Sequence, residues 1–374
     1  MRKIVIFITD LAYGGAEAQV VNLALKMRER QLEVHLITIK NPQAYLDRLI
    51  SSGIKVTTLN INNKIPNPIP IIKLIYLLRK MKPDIIHSHM VHANILIRLI
   101  RPFLPDQKLI CTAHSIDETS GKKFGILREL IYRITDPLCD MTTQVSQAGF
   151  ERYVYKKLAK VNKIMYIPNG IDTNIFKPDI HLRQVLRSEM GLVNKFVWLA
   201  VGRLEPPKDY FNMINAFYNV VRQFEHTILF IIGDGSLKDS ILEEIDKLKL
   251  NKYVRLLGVR NDVMRLLNIA DGFVLSSSRE GLPLVLLEAA SIGVPMVVTD
   301  VGGNKEIVHE SKSGYLVPPK NFNSLSEKML LLMSKSELER KIMGEYARKL
   351  IIEKYDINII TDKWIHLYKS LIKS

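Results

Sequence analysis

The chain has 374 residues, 47% of them hydrophobic and 24% charged, and its formal net charge is +15. That length exceeds what one core ordinarily organises, and two cysteines, Cys111 and Cys139, supply no disulfide framework, so two domains in a reducing compartment are expected rather than a small stapled scaffold. The charge is uneven, with 26 Lys and Arg against 15 Asp and Glu in residues 1–180 and 27 against 23 in residues 181–374. A basic first half suits nucleic acid, an anionic membrane surface or a phosphorylated substrate, and the count alone does not choose among them. Aromatic residues, at 7%, are too few for the aromatic-rich basic patches of a nucleic-acid binder, so no nucleic acid is expected.

In chain order, the opening MRKIVIFITD carries an apolar run too short for a secretory signal and predicts a first strand over 4–8. Further strands are predicted at 34–39, 55–59, 84–88, 108–113, 141–145 and 163–167, with helical patterns such as 17–30 and 71–81 between them. After a polar stretch at 178–188 the alternation restarts, with strands at 196–202, 227–233, 253–258, 272–277, 294–299 and 314–317. The most apolar long stretch, 282–299, is broken by Glu288, Gly293 and Pro295 and so spans no bilayer. Residues 336–374 are helical in pattern, and a tail without a strand to return to packs either on its own domain or back on the other. The expectation is an α/β chain of two doubly wound parallel sheets with a cleft between them. Its domains are 1–178 and 189–355, with a last helix over 356–374. Such sheets bind ligands at the carboxyl ends of their strands.

Several segments fall at those ends. In DLAYGGAEAQV, Gly14 and Gly15 allow close backbone approach where a helix begins, though a merely structural turn reads the same way. His87 and His89 have the spacing of strand-borne metal ligands, but spacing places no third ligand beside them. Lys122 and Lys123 precede an amphipathic pattern of Phe124, Leu127, Leu130, Ile131 and Ile134, which either lies on an anionic membrane or packs on its own sheet. VGRLEPPKDY places Arg203 and Lys208, two cations suited to a diphosphate, just after a strand. The GDG at 233–235 also follows a strand, but neither it nor GGAEAQ completes the Gly-x-Gly-x-x-Gly of a dinucleotide dehydrogenase. In SREGLPLVLLE, Pro283 opens a helix whose free amides at Leu284 and Val285 face the strand end. Glu288 follows inside an apolar run, where a carboxylate either neutralises itself or finds a partner.

These motifs, with HSH at 87–89, TAHS at 112–115, IPNGID at 167–172, LLG at 256–258 and VGGNKEIV at 301–308, resemble in order and spacing glycosyltransferase family 4, whose members are retaining, nucleotide-sugar-dependent enzymes of the GT-B fold. The Glu280/Glu288 pair is the most specific part of the resemblance. It implies that Glu288 accepts both ribose hydroxyls of the donor, and that Glu280 and Gly281 lie by the donor sugar. Arg203 and Lys208 would then neutralise the diphosphate, with Gly15, Gly233, Leu284 and Val285 at the phosphates or sugar, Gly258 and Val259 at the base, and His114 at the sugar. The implied catalytic set is Glu280, His114, Arg203 and Lys208, with no metal and no cofactor, the nucleotide sugar, most simply UDP-linked, being a substrate. The implied acceptor is a polyprenyl-diphosphate-linked glycan used for surface polysaccharide, at the inner face of the cell membrane. A nucleotide-sugar epimerase of the same fold is the alternative. One departure stands out, since Asp209 follows Lys208 where the family often has glycine.

Overall fold

The structure is a computed structural model that describes residues 3–61, 67–116 and 125–373. The chain forms two compact units, Met1–Gly170 together with Ile357–Ser374, and Ile171–Asp356. Among the described residues no helix is long and apolar enough to cross a membrane.

The first unit holds seven parallel strands, β1 (Lys3–Ile8), β2 (Glu33–Thr38), β3 (Lys55–Thr58), β4 (Ile85–His89), β5 (Lys108–Ala113), β6 (Met141–Gln144) and β7 (Ile164–Tyr166), ordered β3-β2-β1-β4-β5-β6-β7. The chain moves outward one way from β1 and the other way from β4, so right-handed crossovers place helices on both faces. Alternation along β1 divides the core. Ile4, Ile6 and Ile8 pack with helix Gly15–Glu29 and with helix Ile357–Lys373, while Val5 and Phe7 pack with helices Ile69–Met81 and Val91–Leu99.

The second unit repeats the plan with β8 (Phe196–Val201), β9 (Thr227–Ile232), β10 (Val254–Leu256), β11 (Gly272–Leu275), β12 (Met296–Thr299) and β13 (Gly314–Val317), ordered β10-β9-β8-β11-β12-β13. Its order reverses between β8 and β11, which is where such a sheet offers a crevice to ligands. Trp198, Tyr210 and Phe217 anchor the core on one face.

Two boundaries differ from the sequence expectation. Residues 171–178 belong to the second unit, where Ile171 bridges Asp356 and Thr173 Oγ1 donates to Asp356 Oδ2 at 2.5 Å. The polar stretch expected to separate the domains contains a helix, Ile180–Glu189, with no buried residue. Charge rather than an apolar stripe holds it. Arg183 and Arg187 both bond the carboxylate of Asp271 at the foot of β11, Arg187 at 2.8 Å, and Asp271 Oδ2 also accepts the Val197 amide.

The helical stretch after 336 is two helices. Glu337–Lys354 starts with a capping box, Ser336 Oγ accepting the Glu339 amide and Glu339 accepting the Ser336 amide, and lies in the second unit. Ile357–Lys373 returns to the first unit, burying Ile360, Trp364, Leu367 and Tyr368 in the core beside β1.

Candidate functional site

In the second unit the loops after β8, β9 and β11 interlock. The loop after β8 ends in a short turn at Pro206–Lys208 followed by Asp209 in left-handed conformation (φ +48). Asp is among the side chains that adopt this region most readily, so the missing glycine does not alter the turn. Two serines after β11 strap this loop down. Ser276 Oγ reaches the carbonyls of Lys208 and Asp209 at 2.9 and 2.8 Å, and the Ser278 amide donates to the Pro207 carbonyl at 2.8 Å. These serines were not singled out from sequence. Their partners are carbonyls some seventy residues earlier, which no local pattern records.

The strap brings Lys208 to Glu280. Lys208 Nζ and Ser277 Oγ both donate to Glu280 Oε1, at 2.5 and 2.6 Å. Glu280 Oε2 has no hydrogen-bond partner among the described residues, so one oxygen is pinned and the other is open to a ligand. The turn carrying Glu280 and Gly281 is fixed by Gly302 and Gly303. Gly302 has φ +61, a Cβ there would lie 2.3 Å from the Glu280 carbonyl oxygen, and the Gly303 amide donates to Gly281 at 2.7 Å. The VGG motif therefore shapes the acidic turn from behind.

The GDG loop works similarly. A Cβ at Gly233 would lie 2.0 Å from the Gly202 carbonyl oxygen, so this glycine serves the crossing of two protein loops. Glu205 clasps the same crossing, accepting the Ser236 amide and hydroxyl at 3.1 and 2.9 Å. Arg203 is exposed and its side chain makes no hydrogen bond or salt bridge with a described residue, so its guanidinium is open to an anion. Gly258, at φ +67, has open space where a Cβ would stand and lends its carbonyl to the Gly233 amide, and Val259 beside it is exposed.

Helix Leu284–Ile292 begins at Pro283, which supplies no side-chain cap, so the amides of Leu284 and Val285 have no acceptor in the helix. Its fifth residue is Glu288. No hydrogen bond or ion pair to a described residue holds this half-buried carboxyl, and burial pushes it up to about 7. An acid kept at that cost without a partner among the described residues is what a ligand bearing hydroxyl donors requires.

In the first unit, Gly15 opens helix Gly15–Glu29, two residues before the expected start, and is exposed. His114 follows β5, with Nε2 3.0 Å from His89 Nδ1. His87 has both ring nitrogens engaged, Nδ1 with Tyr368 Oη at 2.6 Å and Nε2 with Thr112 Oγ1 at 2.7 Å. The His-x-His pattern thus serves packing at His87 and pairing at His89. Burial holds His87 and His89 well below the ordinary imidazole value and brings His114 down to about 4, so the cluster is neutral at physiological pH. Among the described residues no group of three or more His, Cys, Asp or Glu is disposed to hold a metal ion. Lys122 and Lys123 lie outside the described residues.

Comparison with known proteins gives this geometry its relatives. A family model described as Glycosyltransferase Family 4 matches residues 13–175, and one described as Glycosyl transferases group 1 matches residues 184–350. The UDP-Gal:alpha-D-GlcNAc-diphosphoundecaprenol alpha-1,3-galactosyltransferase of Escherichia coli is 29% identical over 310 residues, 81% of this chain and 79% of that one. The N-acetyl-alpha-D-glucosaminyl L-malate synthase of Bacillus anthracis is 26% identical over 370 residues, 96% of this chain and 95% of that one. Among solved structures, Anabaena Alr3699/HepE in complex with UDP and glucose has the same fold, with a TM-score of 0.87 at 20% identity, covering 99% of this chain and 100% of that one.

Proposed function

We propose, on the premise that the chain belongs to glycosyltransferase family 4 and has the GT-B fold, that it transfers a sugar from a UDP-linked donor, with retention of configuration, to a polyprenyl-diphosphate-linked glycan of a surface polysaccharide. The observation that carries the donor half is Glu288, a carboxyl raised to about 7 by burial and given no partner by any described residue. Two ribose hydroxyls donating to it restore the carboxylate. Glu280 Oε2 accepts a hydroxyl of the donor sugar, and the amides of Leu284 and Val285 meet the diphosphate. Arg203 chelates the departing phosphate, and Lys208, aligned by Glu280, adds a point charge as negative charge develops there. This electrostatic stabilisation needs no metal. The leaving phosphate takes the acceptor's proton on the face it vacates, so no side-chain nucleophile is involved. Gly258 and Val259 stand at the base.

The acceptor half rests on the basic first unit and on the lipid-diphosphate acceptor named for the Escherichia coli relative. The test is incubation of the purified chain with labelled UDP-sugars in excess EDTA, with a polyprenyl-diphosphate glycan, with soluble hydroxy acids such as malate, or with no acceptor. Label moving into the lipid fraction, with the anomeric configuration kept, is the expected result. Label on malate would transfer the chain to the other relative's acceptor class, and donor converted without acceptor would make it an epimerase. Activity abolished by EDTA and restored by manganese would reject the arginine–lysine mechanism.

A further inference from the structure

The second unit alone forms a cavity of about 400 Å3 that the donor reading does not use. It lies beside the serine strap, and its walls alternate in sequence with the Lys208–Glu280 pair. Pro206, Pro207 and Asp209 surround Lys208 in the loop after β8, and Ser278 and Arg279 precede Glu280 in the turn after β11. Lys208 and Glu280 themselves are not in the lining. The bond from the Ser278 amide to the Pro207 carbonyl, 2.8 Å long, therefore joins two walls of the cavity as well as seating the lysine loop. Lys320, just past β13, and Asn212, in the first turn of helix Tyr210–Val221, complete the lining.

Asn212 separates this cavity from an ordinary surface dent. It is only 8% exposed, and its carboxamide nitrogen is buried with no hydrogen-bond partner among the described residues. Met213, Ile214 and Phe217 of the same helix bury apolar groups in the core, so packing alone asks for no amide here. A buried donor left unsatisfied costs about 1–3 kcal/mol, which an apolar side chain would avoid. An acceptor reaching it from the cavity removes that cost.

The other walls define the chemistry of that acceptor. Arg279 and Lys320 set two cations against the single carboxylate of Asp209, so the cavity favours an anion. A bare inorganic anion fits poorly, because Asp209 lines the same space. Burial raises the Asp209 carboxyl above its ordinary value, ahead of the opposing pull of the Asn212 backbone amide and Lys320, and hydroxyl donors relieve such a group where a second anion does not. The rings of Pro206 and Pro207 add apolar surface, which suits the C–H face of a pyranose better than a fully hydrated ion. The volume is that of a small-molecule site rather than a macromolecular groove. We propose that this cavity binds a pyranose bearing an anionic group, with hydroxyls on Asp209 and the Asn212 amide and a phosphate or carboxylate on Arg279 and Lys320. The site is separate from Glu288 and does not depend on the donor reading. Two sources share its chemistry, a free sugar phosphate and a uronic acid residue of a glycan.

The test titrates the full chain, by calorimetry and saturation-transfer NMR, with the 6-phosphates of glucose, galactose, mannose and N-acetylglucosamine, and with glucuronate and galacturonate. Saturable binding of at least one is expected, about tenfold or more tighter than its neutral parent sugar and than inorganic phosphate. Preference for a sugar phosphate assigns the free metabolite, and preference for a uronate assigns the glycan residue. Asn212→Ala is expected to weaken binding by about tenfold or more while its urea midpoint stays at or above wild type, since the empty protein loses only an unpaired donor. Lys320→Ala, at an exposed side chain, is expected to weaken binding roughly fivefold with its midpoint unchanged. No saturable binding across the panel, or equal binding of the neutral sugar or of bare phosphate, overturns the proposal. So does wild-type affinity in Lys320→Ala, whatever the fate of Asn212→Ala. Displacement of the sugar by excess UDP also overturns it, because the sugar then occupies the donor pocket.

Discussion

Glu288 should couple nucleotide binding to protons. Its carboxyl titrates at about 7 in the free protein instead of the ordinary 4.5, and hydrogen bonds from a ribose favour the ionised form. Binding below that value must therefore release a proton, and affinity should rise with pH from about 5 to 7 and level off above it. Calorimetry in two buffers of different ionisation heat measures the release, expected near half a proton at pH 7 from this group. Glu288→Gln should remove that component, leaving only the nucleotide's own titration, and weaken binding by about 1.5–3 kcal/mol. Stability has a definite sign too. A raised folded-state value makes a contribution that is fully present below 4.5 and lost as pH rises through about 7, so the glutamine variant should gain relative stability above pH 7. If proton release is the same in wild type and variant, the nucleotide does not reach this carboxyl.

At the scale of elements, the serine strap after β11 decides where Lys208 stands. Ser276 is fully buried and its single hydroxyl proton is shared between two carbonyls of the lysine loop, so Ser276→Ala removes their common donor and should cost about 1–3 kcal/mol by urea unfolding. It should also lower kcat, because the loop that carries Lys208 loses its seat. A variant with unchanged midpoint and unchanged kcat would show that the loop holds itself. The strap also marks how far the sequence could be read. Parallel strands buried on both faces are near-continuous apolar runs, and all thirteen were legible within a few residues. Glu280, Glu288 and Lys208 were legible as charges at strand ends and helix starts. Ser276–Ser278 and Gly302 were not, because their meaning lies in backbone atoms far along the chain. Helix Ile180–Glu189 escaped for a related reason, being held by two arginines on Asp271 rather than by periodic apolar residues.

On the scale of the molecule, the first unit depends on residues that follow the second. Ile360, Trp364, Leu367 and Tyr368 bury large side chains in its core, about 1.5–3 kcal/mol each, together comparable to the whole stability of a domain. Removing residues 357–374 should therefore open the first unit, while Ile171–Asp356, contiguous in sequence, keeps its amide protection in hydrogen exchange. Tyr368→Phe is the milder version, depriving the buried His87 Nδ1 of its partner for about 1–3 kcal/mol without vacating the core. The returning helix also sets an order of events during synthesis. A ribosome makes the first unit's seven strands before any of the second unit, yet the seat for Trp364 beside β1 stays uncovered until residues 357–373 have been translated. The second unit, complete once Asp356 is made, can close first. Order of completion is thus the reverse of order of translation, and throughout elongation the apolar floor of the first unit is the part of the nascent chain that a chaperone would find open.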